Sequence, residues 1–123
     1  MAKILMVDDD VDFLEAGARI LESRGHTVLS ASNCQDGERK IKAESPDLVF
    51  LDIMMQQPDD GIVLAQKLYK EGLKVPIVML SGVGTVTGYV YDKDDETLPC
   101  KEFLQKPIDP ETLIQTVEKI LSE

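Results

Sequence analysis

Apolar residues gather in five short runs: "KILMV" (3–7), "HTVLSA" (26–31), "DLVFL" (47–51), "VPIVML" (75–80) and "EFLQ" (102–105). The first, third and fourth are continuous rather than alternating, the pattern of parallel strands covered on both faces. Between the runs the spacing changes to that of helices. Val11, Leu14, Ala18 and Leu21 share one face of a helix expected over about Val11 to Arg24, with Gly25 as its stop. A second helix should open at Asn33, with Asp36 three positions on, and end before Pro46. A third carries Ile62, Ala65, Leu68 and Tyr69 and stops at Gly72. The last has the clearest start in the chain, "DPETL", with Asp109 as N-cap, Pro110 at the first helical position and Glu111 in the positive first turn. Leu113, Ile114, Val117, Ile120 and Leu121 then recur at helical spacing.

Strands alternating with helices predict an α/β fold with a doubly wound parallel sheet, because right-handed crossovers place helices on both faces. The stretch 82–99, "GVGTVTGYVYDKDDETLP", fits no template. Gly84, Gly88, β-branched residues and Pro99 predict that the fourth helix, between the last two strands, is irregular or short.

Ligands of doubly wound sheets bind outside the carboxyl ends of the strands. After the first strand come Asp8, Asp9 and Asp10. Asp52 follows the third, Ser81 and Gly82 the fourth, and Lys106 and Pro107 the fifth. Singly, each has an ordinary reading as cap, turn or surface residue, and Asp10 reads as the cap of the first helix. Together they bring acids, a hydroxyl and an amine to one edge, a set suited to phosphoryl chemistry.

Composition narrows the partners. With 23 acids against 13 bases the chain carries a formal charge of −10, which argues against direct nucleic-acid or anionic-membrane binding. Converging acids suit a divalent cation instead. The 123 residues are enough for one ordinary domain, 1–123, without a structural metal or disulfide. Cys34 and Cys100 have no metal-site spacing and read as reduced thiols of a cytoplasmic protein. The start "MAKILMVDDD" is not a signal peptide, and no apolar stretch approaches membrane-spanning length.

"ILMVDDD" (4–10), "LVFLDIMM" (48–55), "PIVMLSG" (76–82) and "FLQKPIDPETL" (103–113) together resemble the receiver domains of bacterial two-component response regulators, over nearly the whole chain. The resemblance implies a flavodoxin-like five-stranded sheet in the order 2-1-3-4-5. It implies Asp52 as phosphoryl acceptor from a sensor histidine kinase. Asp8 and Asp9 would hold Mg²⁺, Asp9 directly and Asp8 largely through water, with the Met54 carbonyl as a further ligand. Ser81 and Lys106 would contact the phosphoryl group, and Phe103 occupies the switch position. The protein would be a phosphorylation-controlled binding module for a downstream partner, not an enzyme beyond its own phosphorylation and dephosphorylation.

The chain departs from the family pattern in three places. "DIMMQQPDDG" lacks the usual Pro after the second Met and is one residue longer before its Gly. Ser81 and Lys106 are a few residues further apart than usual. The region of the fourth helix is rich in Gly, Thr, Val and Tyr. Two rivals are weaker. A haloacid-dehalogenase-like phosphatase would need an acid where Met54 stands, and a cap domain. A flavin-binding module would need a phosphate loop where the three acids after the first strand would repel phosphate.

Overall fold

The structure is a computed structural model that describes residues 2–53, 60–81, 102–105 and 108–122. In chain order these form β1 (Lys3–Val7), α1 (Val11–Glu22), β2 (Thr27–Ala31), α2 (Cys34–Glu44), β3 (Leu48–Asp52), α3 (Asp60–Lys70), β4 (Ile77–Ser81), β5 (Glu102–Gln105) and α4 (Pro110–Leu121). The stretch 82–99, expected to hold an irregular helix, lies outside the described residues.

The helix starts follow from their caps. The side chains of Asp10, Asn33 and Asp109 accept hydrogen bonds from the backbone N–H groups of Phe13, Asp36 and Thr112. Each satisfies an amide that the first helical turn leaves without an internal partner, an effect worth about 1 kcal/mol. At the other ends, Gly25 and Gly72 adopt φ of 87° and 86°, a left-handed conformation that side chains disfavour. Ser45 closes α2 at φ 50°, where the following Pro46 disfavours a further α-helical residue.

All strands are parallel, in the order β2-β1-β3-β4-β5. The pleat sends alternate residues to opposite faces. Leu5, Val7, Val49, Leu51, Ile77 and Met79 pack beneath α2 and α3, against Ile41, Leu64, Ala65 and Leu68. Ile4, Met6, Leu48, Phe50, Val78 and Leu80 pack on the other face, against Leu14 and Leu21 of α1 and Leu113, Val117 and Ile120 of α4. Every residue of β3 is buried. Each large apolar side chain so placed contributes roughly 1.5–3 kcal/mol relative to exposure, so β3 tolerates a terminal carboxylate without losing its position.

Three residues expected on core faces are exposed. Val11 is 63% exposed and Tyr69 is 60% exposed. Val11 opens α1 beyond the carboxyl edge of the sheet, one turn before Leu14 reaches it. Tyr69 sits 100° around the helix from Leu68, which fills the α3 contact with the sheet. Leu121 is likewise exposed, 100° around α4 from the buried Ile120.

Candidate functional site

β1 and β3 are neighbours, and Val7 pairs with Leu51, so the next residues, Asp8 and Asp52, lie side by side at the carboxyl edge. Both continue the even-numbered phase of their strands, after Ile4 and Met6 and after Leu48 and Phe50. The strand register thus turns two carboxylates toward one region. Asp9, one residue on, completes the group. Single carboxylate oxygens of Asp8, Asp9 and Asp52 all lie within 4.8 Å of one another. Asp8 is fully buried, Asp52 is 4% exposed and Asp9 is exposed.

The acids are held from behind. The Asp8 backbone N–H donates to the Ala31 carbonyl at 3.0 Å, and the Asp8 carboxylate accepts from the Asp10 N–H at 2.9 Å. Asp10 therefore acts twice, as the α1 cap through its side chain and as a donor to Asp8 through its backbone. Beyond Asp52 the chain stays attached to both neighbours. The Ile53 N–H donates to the Leu80 carbonyl, and the Ile53 carbonyl accepts from the Gly61 N–H, each at 2.9 Å.

Three acids so close repel one another. Two like charges about 4 Å apart cost on the order of 4 kcal/mol in the effective dielectric near a protein surface. A divalent cation relieves that repulsion and takes oxygen ligands. Mg²⁺ holds opposite oxygens roughly 4.2 Å apart, twice its metal–oxygen distance. The observed spread of 4.8 Å closes to that with small side-chain adjustments. One exposed acid and two buried ones also leave the group open to solvent on one side, which suits a cation that keeps several of its waters. The residues present fit Mg²⁺.

The other sequence-expected positions are placed in part. Asp52 pairs with Leu80 across β3 and β4, so Ser81, the last residue of β4, stands one position further along the same edge. Ser81 pairs with Gln105, the last residue of β5, which Lys106 follows directly. Phe103 lies in β5, paired with Met79. Met54 and Lys106 are outside the described residues. Motif reading passes over Gly61, which there only closes the loop after β3. Its signal was a glycine at the start of a helical pattern, where propensity disfavours it. Among the described residues no helix is long and apolar enough to cross a membrane.

The sequence profile of the response regulator receiver domain matches residues 4–118. Protein PilH of Pseudomonas aeruginosa is 33% identical over 124 residues, covering 99% of this chain and 99% of its own length. The nitrogen assimilation regulatory protein NtrX of Azorhizobium caulinodans is also 33% identical, over 96% of this chain but only 26% of NtrX. Among solved structures, the receiver domain of NtrX from Brucella abortus superposes with a TM-score of 0.80 at 32% identity, covering 97% of this chain and 98% of that one.

Proposed function

The chain belongs to the response regulator receiver domain family, and we propose that it works there as a phosphorylation-controlled switch with Asp52 as its acceptor. The observation that carries this reading is the convergence of Asp8, Asp9 and Asp52 at the carboxyl edge of the sheet.

The donor is the phosphohistidine of a sensor histidine kinase. An Asp52 carboxylate oxygen forms a bond to phosphorus as the nitrogen–phosphorus bond breaks. The electron pair of that bond returns to the imidazole, and Asp52 becomes a mixed carboxylic–phosphoric anhydride. The buried β3, apolar up to Asp52, supports the nucleophile's position for this displacement. Asp8 and Asp9, with Asp52 and the Met54 carbonyl, would hold Mg²⁺, whose charge would offset the repulsion between carboxylate and phosphoryl oxygens. The Ser81 hydroxyl and the Lys106 ammonium are the donors to the phosphoryl oxygens, one rotatable and one a compact charge. Phe103 is the aromatic through which occupancy of the site reaches the partner-binding surface. The output is changed affinity for a downstream protein, not turnover of an external substrate. The acidic charge balance supports a protein partner rather than nucleic acid or an anionic membrane, and the reading places the protein in the cytoplasm beside its kinase.

Incubation with acetyl phosphate, with and without Mg²⁺, tests the reading by intact-protein mass. One phosphoryl group should be gained only with Mg²⁺, survive mild acid and be lost in base and on hydroxylamine treatment. Acetyl phosphate hydrolysed in multiple turnovers without a covalent species would favour the phosphatase alternative.

A further inference from the structure

The geometry points to Gly61 as a positioning residue for the acceptor Asp52, a role that rests on the function proposed above. Gly61 is in the first turn of α3, and its backbone lies directly against the chain that leaves β3. A β-carbon built there would overlap the backbone carbonyl oxygen of Asp52. It would also lie 2.8 Å from the Asp52 carbonyl carbon and 2.9 Å from the Ile53 Cα. These obstacles are main chain, so no rotamer change clears them. The Gly61 N–H meanwhile donates to the Ile53 carbonyl at 2.9 Å, while the Ile53 N–H donates to Leu80 on the other side at 2.9 Å. The peptide after Asp52 is thus gripped between β4 and the start of α3.

The other helical glycines differ. A β-carbon at Gly17 would meet the Met6 side chain, its sulfur at 2.9 Å, and one at Gly37 would meet the Val7 methyl carbons at 3.0 Å. Among the described helical glycines, only at Gly61 is the obstacle the backbone of a residue in the acidic group. A side chain there must push α3 away or displace Asp52 relative to Asp8 and Asp9. A misplacement of about 1 Å in such a site costs up to about a hundredfold in rate.

The test compares Gly61→Ala with Gly17→Ala, a control substitution in α1 whose strain falls on a flexible side chain. Both are checked for native circular dichroism and thermal stability. Initial rates of phosphate incorporation from acetyl phosphate are then measured over a range of donor, and Mg²⁺ affinity by titration. Gly61→Ala should lower the saturating rate and weaken Mg²⁺ by about tenfold or more, while half-saturation in donor stays unchanged. Gly17→Ala should lose stability but keep both site properties. Wild-type rate and Mg²⁺ affinity in folded Gly61→Ala would overturn the role, as would losses that simply track stability in both variants. If Gly61→Ala does not fold, amide resonances of the wild-type protein decide. The Gly61 amide should shift with Mg²⁺ on the same isotherm as Asp52, and a Gly61 amide that does not respond overturns the coupling. Wild-type protein that binds Mg²⁺ but takes no phosphate overturns the acceptor reading alone, since the Mg²⁺ arm still reports on Gly61.

Discussion

Two groups of charged side chains in this molecule are built on opposite plans. Between α2 and α3, Glu38 accepts from Lys42 and Lys67, both at 2.9 Å, and Lys42 also reaches Glu71 at 3.1 Å. Signs alternate, the residues lie at the surface, and every charge has an opposite neighbour. At the carboxyl edge of the sheet, Asp8, Asp9 and Asp52 share one sign, and two of the three are buried. The first arrangement needs nothing further, and its pairs are worth little each, because water screens them. The second brings like charges side by side, and an incoming cation would relieve part of their repulsion. Like charges gathered at the end of a core are an arrangement that a cation can relieve. Electrostatic satisfaction at a surface is a mark of structure.

The sharpest way to break this contrast is Asp52→Asn. It should abolish covalent phosphate while circular dichroism and thermal stability stay native or improve, since it removes one of three repelling charges. A variant phosphorylated as well as the wild type, by intact mass, would move the acceptor to Asp8 or Asp9.

Lys106 sharpens the contrast from another side. The lysines of the α2–α3 network keep fixed partners, whereas Lys106 is expected to pair with Asp52 at rest and with the phosphoryl group afterwards. Lys106→Ala should still accept some phosphate but lose the phosphorylation-dependent change in partner affinity, typically about 5–150-fold in such couplings. Partner binding measured in both phosphorylation states checks this, and an unchanged response contradicts it.

Asp9→Ala should weaken Mg²⁺ by about tenfold, because affinity follows the number of charged ligands. Calorimetric titration of wild type and variant gives the answer, and equal affinities would place the ion elsewhere.

The smallest effect belongs to the satisfied network. Hydrogen bonds from Lys42 first, and then from Lys67, hold the Glu38 carboxyl below its ordinary pKa of 4.5. A group whose folded pKa is depressed stabilises the fold above its unfolded value and loses that contribution as pH falls through the folded one. Glu38→Gln should therefore cost no more than about 1 kcal/mol at neutral pH. The difference from wild type should vanish in acid below the carboxylate range and shrink in high salt. Phosphorylation and Mg²⁺ binding should be unaffected. Denaturant melts across pH with a phosphorylation assay check both halves, and a loss of phosphorylation would show that the two charge groups are coupled.

Much of the fold could be read from local pattern. The continuous runs at β1, β3 and β4 are strands buried on both faces, and "DPETL" and Asn33 mark helix starts at which the caps are found. Boundaries moved by one or two residues, so that Asp52 and Ser81 end their strands rather than follow them. Periodicity misplaced Val11 because it does not report how far the sheet beneath extends, and Tyr69 and Leu121 because it marks the buried face only to within a residue. The strand order came from family resemblance. Periodicity carries no information on which strand lies beside which.

By itself, then, the sequence determined the elements, their caps and stops, and the list of groups that follow each strand. These depend on neighbours within a few residues, through hydrogen bonds and backbone conformations that a short window contains. Only the tertiary structure decided that Asp8, Asp9 and Asp52 lie within 4.8 Å of one another, that two of them are buried, and that Gly61 lies against the Asp52 backbone. Those facts depend on strand register and on the docking of α3. Both are set by the packing of two apolar layers contributed by the whole chain.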